Sequence, residues 1–380
     1  MNIILNDSDL HKAFAPLSLT RPVGDLRIGV FTNKERWTYY LPEAIISFKT
    51  ENYLAKQFDC RDATKESIIV NAGIIPNHEF VATIINLNDD EALYFNELKV
   101  AYKGNGTVKV NYCGEEPISI SKRWHVFQKN KEVLEQDFIL LSNNRVSKKL
   151  SSSNTLIGSD NNLFIEEGAV IEASILNTNE GPIYIGKNST IMEGSIIRGA
   201  LALCDNATIK MGAKIYGPST IGPYCKAGGE INNVVFQAYS NKGHDGFLGN
   251  SIIGEWCNLG ADTNTSNLKN NYGSVDTFCY EENKMVNTES SFVGLSMGDH
   301  SKCGINTMFN TGTVVGVSCN IFGANFPPKH IPSFSWCDSI NSVPYKINKA
   351  IEYANNMMSR RGKELSTEEI NILNHIQQNH

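Results

Sequence analysis

The sequence predicts an α/β region over residues 1–150, a parallel β-helix over 151–345 and a helical tail over 346–380. Three observations predict it. Aliphatic residues recur every six positions in the second half. Short strand-like apolar runs and a helical pattern mix in the first half. An amphipathic pattern of helical period returns at the end.

The six-residue period comes first. Ile185, Ile191, Ile197, Leu203, Ile209, Ile215 and Ile221 follow one another without a break. Ile165 and Ile171 precede them, Ile253 and Leu259 resume the spacing, and Cys303, Phe309, Val315 and Ile321 complete it. Six fits neither an α-helix nor a simple alternating strand. It fits a coil in which each short side ends at a corner, so that three sides close a triangle of about 18 residues. The aliphatic residue then points inward, and Gly, Asn and Asp tolerate the corners. Two stretches break the register, 228–250 and 264–291, and both are expected to bulge as loops.

In the first half, Asn2-Ile-Ile-Leu, Ser67-Ile-Ile-Val-Asn, 92–95 and 108–112 read as strands, and 124–136 as a helix. That mixture predicts an α/β domain. The polar run 142–154 reads as a linker. In the tail, Ile347, Ala350, Ile351, Ala354, Met357 and Met358 share one helical face, which Arg360, Arg361 and Gly362 close. Ser366 followed by Glu369 is a capping box for a second helix.

Composition excludes several classes. The formal net charge is -6 without a basic block, so no nucleic-acid partner is expected. Nine cysteines show no CxxC pair, which argues against structural zinc and for reduced thiols in a cytoplasmic protein. Residues 1–10 do not read as a signal peptide, and no apolar run reaches the roughly 20 residues of a membrane span.

The chemistry concentrates in the first register break. His244 lies between Gly243 and Asp245 on a Gly-rich segment, 240–249. A neutral imidazole suits a general base near neutral pH, although a lone loop histidine is more often simply solvated. The polar run Cys257-Asn-Leu-Gly-Ala-Asp-Thr-Asn-Thr-Ser-Asn follows. Cys257 falls in the repeat register, which favours a structural role over a nucleophilic one.

Residues 240–270 resemble the acetyltransferase half of the bifunctional GlmU-type enzymes, which acetylate glucosamine 1-phosphate and then couple the product to UTP. The resemblance rests on Asn241-Lys-Gly-His-Asp-Gly-Phe-Leu-Gly, Asn258-Leu-Gly-Ala-Asp-Thr and Ser266-Asn-Leu, with the family spacing from His244 to Asn267. It implies a left-handed β-helix and acetyl-CoA as cosubstrate. It implies that His244 is the general base, that Asn258 and Glu230 hold the amino sugar, and that Ala261 and Asn267 line the acetyl-CoA site. Two positions depart from the family: Phe247 replaces a sugar-contacting Tyr, and Asn232 replaces a phosphate-binding Lys. Lys242 and Lys214 are candidate phosphate contacts in its place, or solvated corner residues. Family members of this shape are homotrimers, so Asp299, His300 and Thr311 are expected near a site on an adjacent chain, with Thr311 assigned to the coenzyme.

The N-terminal region lacks the Gly-x-Gly-Thr-Arg loop of GlmU-type nucleotidyltransferases. It carries Thr20-Arg-Pro-Val-Gly-Asp-Leu-Arg instead, and resembles a divergent branch of that family. Arg21 and Arg27 are candidate nucleotide-phosphate ligands with Asp25 orienting one of them, or else members of an Arg–Asp structural network. The family's Mg²⁺ would require an Asp where this chain has Asn71, and Asn144 matches its late Asn ligand. The expected function is acetyl-CoA-dependent N-acetylation of an amino-sugar phosphate, with nucleotidyl transfer from a nucleoside triphosphate as a second activity. Two rivals stay open: a sugar-1-phosphate nucleotidyltransferase whose β-helix is a trimer scaffold, and a non-catalytic sugar-nucleotide-binding trimer.

Overall fold

The computed structural model describes residues 1–338 and 341–379; Ser339, Ile340 and His380, which fall in the expected β-helix and tail, lie outside the described residues. The strand Asn2–Asn6 carries Ile3, Ile4 and Leu5, all buried, as expected of a strand covered on both sides. It lies between Ile45–Lys49 and Ile68–Asn71, parallel to both. Leu98–Lys103, Glu91–Phe95 and Val108–Asn111 extend the sheet in that order. The helix expected over 124–136 is two helices, His125–Gln128 and Asn130–Ser142. The break lets the fully buried Asn130 accept the Gly29 N–H and donate to the Pro218 carbonyl.

The second part is a parallel β-helix with three faces. One face stacks Thr155–Ile157, Ile175–Asn177, Ile196–Arg198 and Lys214–Tyr216. The second stacks Leu163–Ile165, Ile183–Ile185, Leu201–Leu203 and Ser219–Ile221. The third runs from Val170–Ile171 through Lys226–Ala227, Asn241–Lys242 and Asn258–Leu259 to Lys302–Cys303. The aliphatic residues of the six-residue series form one continuous buried column.

The first register break is not a protruding loop. Glu230–Phe236 and Phe247–Ile253 are strands that stay in the stack. Phe236 follows Ile221 after 15 residues and Ile253 follows Phe236 after 17, so these coils are merely shorter. Ile231, Phe236 and Leu248 keep the inward places filled. The second break does protrude, as an antiparallel hairpin of Asp276–Cys279 with Lys284–Asn287.

The α/β domain lies along the second face. Val30, Leu134, Phe138 and Leu141 pack on Phe164, Tyr184, Ala202 and Cys204, and Val235 and Ile252 join the core of the α/β domain. The linker is tied to the first coils: Arg145 donates to both oxygens of Glu166 at 2.7 Å.

At one corner a column of residues adopts positive φ: Tyr224, Tyr239, Trp256, His300, Ser318 and Phe334. Each donates its N–H to the carbonyl one residue before its counterpart a coil earlier. Left-handed backbone costs a bulky residue roughly 1–2 kcal/mol, so aromatic side chains here need a compensating contact. They find it in each other and in the tail. Tyr224, Tyr239 and Trp256 stack with ring centroids 5.0 and 4.2 Å apart. Trp256 and Phe334 are buried with Ala350, Ala354 and Met358 of the helix Ile347–Ser359 and Ile372, Leu373 and Ile376 of Thr367–Asn379. His375 of the second tail helix stacks on Tyr53 of the α/β domain at 4.1 Å, so the tail bridges both parts.

Candidate active site

His244 is exposed at the corner between the strands Asn241–Lys242 and Phe247–Ile253. The corner is held from inside. Lys242, expected as a phosphate contact, is 1 % exposed. Its ammonium donates to the carbonyls of Gly228, His244 and Asp245 at 3.1, 2.7 and 3.2 Å. A cation so enclosed cannot reach a substrate, and burial lowers its pKa to about 8 against the pull of Asp245 and Asp262. Gly246 completes the turn at φ +107, where a Cβ would lie 2.2 Å from the Thr263 carbonyl oxygen.

A cavity of about 640 Å³ opens beside His244 on the third face. Asn258 and Ala261 line it with His244, as do Tyr239 and Trp256 of the corner column. Asn258 stacks between Asn241 and Lys302. Four cations also line the cavity: Lys210, Lys226, and Arg360 and Arg361 from the end of the first tail helix. None of the lining residues is acidic. Burial, then Arg361, Lys210 and Arg360, draw the Lys226 ammonium below the usual lysine range. These four cations were not singled out as ligands from the sequence. The Arg-Arg pair was visible there only as a helix terminus.

Across His244 a second hollow of about 550 Å³ holds Asp245 and Asp262, with Lys210 and Ala261 shared. Glu230 and Phe247 lie beyond it on the first face, in register with each other. Glu230 accepts the Tyr216 hydroxyl at 2.6 Å, and the Lys214 ammonium is 4.0 Å away. Asn267 donates to Asn250 at 2.7 Å. A Cβ on Gly249 would touch both the Asn267 amide and the Phe247 ring at 2.6 Å, so these two side chains adjoin. The structure therefore brings His244, Asn258 and Ala261 to one cavity, and Glu230, Phe247 and Asn267 to the neighbouring face.

Thr311 does not line either hollow; it is 3 % exposed, and its hydroxyl accepts from the Lys329 ammonium at 3.4 Å. Asp299 and His300, expected to face an adjacent β-helix, turn instead to this chain's own α/β domain, because Arg21 claims Asp299 at 2.6 Å. Cys257 is fully buried, and burial pushes its thiol far above the usual range.

The Arg–Asp signature of the α/β domain forms the seam between the two parts. Arg21 also donates to Glu255 at 2.7 Å and lies 3.9 Å from Asp25. Burial raises the Asp25 carboxyl to about 6, Arg21 opposing and Glu255 and Glu35 assisting. The Arg27 N–H donates to Gln237 at 2.6 Å, and its guanidinium binds the Val30 carbonyl and Glu35. Arg21 and Arg27 are thus engaged by protein partners, and Asp25 lies beside Arg21. At the carboxyl ends of Asn2–Asn6 and Ile68–Asn71, where open α/β sheets bind ligands, a different cavity of about 240 Å³ is lined by Asn6, Asp9, Asn71, Lys99 and Tyr102. Asn144 is not part of it; it sits exposed at φ +55 beside Arg145. Among the described residues there is no group of three or more His, Cys, Asp or Glu side chains that could hold a metal ion. Among the described residues no helix is long and apolar enough to cross a membrane.

The model of the sugar nucleotidyl transferase family matches residues 3–146. The bifunctional protein GlmU of Trichodesmium erythraeum is 27% identical over 150 residues, 39% of this chain and 27% of its own length. That of Synechococcus elongatus is 22% identical over 292 residues, 72% of this chain and 60% of its own. The chain thus spans 27% and 60% of the length of these relatives. Among solved structures, the polySia-specific acetyltransferase NeuO aligns over 56% of this chain and 99% of its own at 14% identity, with a TM-score of 0.30.

Proposed function

We propose that this divergent GlmU-like chain is an acetyl-CoA-dependent N-acetyltransferase acting on an amino-sugar phosphate. The observation that carries the reading is the placement of His244, solvent-accessible, in one cavity with Asn258, Ala261 and four cations. In the reaction the acceptor amine attacks the thioester carbonyl of acetyl-CoA. His244 takes the amine proton as the C–N bond forms, a backbone N–H stabilises the oxyanion, and the C–S bond breaks. The departing thiolate recovers the proton from the imidazolium. Asn258 orients the sugar, Ala261 and Asn267 line the coenzyme site, and Glu230 and Phe247 border the acceptor from the neighbouring face. The assembly is a homotrimer, in which Thr311 would serve a neighbouring site.

The test is release of free thiol from acetyl-CoA with glucosamine 1-phosphate, beside a folded His244→Ala variant. Release that falls on the order of a hundredfold or more in the variant supports the base role. No release by the wild type removes this acceptor.

The family match over 3–146 favours a second activity, sugar-1-phosphate nucleotidyl transfer. Its site would be the Asn6, Asp9 and Asn71 cavity rather than Arg21, Asp25 and Arg27. Pyrophosphate release from a nucleoside triphosphate and a sugar 1-phosphate tests it. A chain active in neither assay would be the non-catalytic binding trimer.

A further inference from the structure

The position where the family resemblance calls for a phosphate-binding lysine holds Asn232 on the first face, packed against Gly217. Of the two other candidates, Lys242 is enclosed and bonded to three carbonyls, and Lys214 is exposed on the first face with the Glu230 carboxylate 4.0 Å away. On the side where it is expected, an acceptor phosphate therefore meets a single lysine that already faces a carboxylate. On the opposite side of His244, Lys210, Lys226, Arg360 and Arg361 surround one cavity with no carboxylate in its lining. Like charges brought together without counter-charge repel, and Arg361, Lys210 and Arg360 add to burial in holding the Lys226 ammonium below the usual lysine range. An oxyanion relieves it: two adjacent guanidinium groups and two ammonium groups match the donor needs of a phosphate.

We propose that Lys210, Lys226, Arg360 and Arg361 form the clamp for the phosphate group of the acceptor, half of it supplied by the C-terminal tail. The clamp rests on the acetyltransferase reading for its substrate, though not for its chemistry. The charge across His244 is polarised. Lys226, Arg360 and Arg361 lie on one side, Asp245 and Asp262 line the hollow on the other, and Lys210 borders both. Glucosamine 1-phosphate carries its amine and its phosphate on adjacent carbons, so a phosphate held by the cations would keep the amine beside His244, on the aspartate side. Both tail arginines are exposed, and the Arg361 guanidinium makes a 3.4 Å contact to the Tyr224 carbonyl. The tail itself is anchored by other residues, Ala350, Ala354 and Met358 on the Trp256 column. The clamp thus forms only when the tail is docked.

Coenzyme A also carries phosphates, so binding is measured directly with three probes: glucosamine 1-phosphate, inorganic phosphate, and adenosine 3′,5′-bisphosphate, the nucleotide end of the coenzyme. Calorimetric titrations compare the full-length wild type with Arg360→Gln/Arg361→Gln, Lys226→Gln and His244→Gln. Lys226→Gln lies on a rigid strand and serves if the tail variant undocks. The expected result is that glucosamine 1-phosphate and inorganic phosphate bind about tenfold or more weakly to the double variant and to Lys226→Gln. Binding should weaken with salt and persist in His244→Gln. The proposal is overturned if both phosphate probes bind the cation variants as they bind the wild type, or fail to bind the wild type. Loss of the adenosine probe alone also overturns it, and assigns the cations to the coenzyme. Phosphate binding that survives while no thiol is released overturns the acetyltransferase reading and leaves the clamp standing.

Discussion

Arg21 and Asp299 form a buried ion pair at 2.6 Å between the α/β domain and the β-helix. Asp299 uses its other oxygen to accept the Glu255 N–H at 2.7 Å, and Glu255 takes the second arm of Arg21. The pair therefore fixes the domain seam and the coil that continues into Trp256 and Asn258. Replacing Arg21 by Ala leaves two carboxylates near each other without their cation. The expected loss is about 3 kcal/mol of unfolding free energy. Urea unfolding measures it, and a variant as stable as the wild type removes the pair from the seam.

Asp25 predicts a pH dependence of the same seam. Its folded pKa of about 6 lies above the reference value of 3.8. Between those values the folded state holds a proton that the unfolded state has released. The contribution is fully present below about pH 4 and is lost as pH rises through 6, by roughly 2 to 3 kcal/mol. Asp25→Asn should flatten that part of the stability profile and leave the variant more stable than the wild type at pH 7–8. Parallel profiles for the two proteins would contradict it.

The legible parts of the sequence were those governed by a local rule. The six-residue series named the core column from Ile165 to Ile321 because each inward residue answers to its own coil. The capping box was equally local: Glu369 N–H donates to the Ser366 hydroxyl at 3.1 Å, and Ser366 N–H to the Glu369 carboxylate at 2.7 Å. Where coil length changed, the period failed although the packing did not. The run 228–250 looked like an insertion, while Ile231, Phe236 and Leu248 still pointed inward. Arg21 illustrates a different limit. Arginine near aspartate reads alike for a phosphate site and for an ion-paired interface, and only the position of Glu255 and Asp299, more than 200 residues away, decides. Arg360 and Arg361 reach Lys210 and Lys226 through the tail's return along the third face, which no local pattern announces.

Lys242 is expected to act on His244 through the backbone rather than on substrate. Lys242→Met fills the space but removes the donor from three carbonyls. Activity should fall on the order of tenfold to a hundredfold in kcat, because a corner displaced by about 1 Å misplaces the imidazole. Binding of glucosamine 1-phosphate should be unchanged by calorimetry. A loss of binding with kcat intact would return Lys242 to the phosphate site.

Trp256 joins the tail to the coil that carries Asn258, and its removal should separate their contributions. Its ring stacks on Tyr239 and is buried against the tail, while the adjoining backbone leads to Asn258. Trp256→Ala should cost about 3 to 5 kcal/mol of packing at the tail seam. Because the β-helix column is continuous without it, the loss should appear as local undocking: protease cleavage near Gly362, with the circular dichroism of the strands retained. The undocked tail carries Arg360 and Arg361 away from Lys226, so phosphate binding should weaken together with proteolytic protection. Ala350→Arg, which attacks the same seam from the tail side, should reproduce both effects without touching the β-helix. If either variant releases the tail and phosphate binds as before, the tail is a brace for the fold and not a wall of the site.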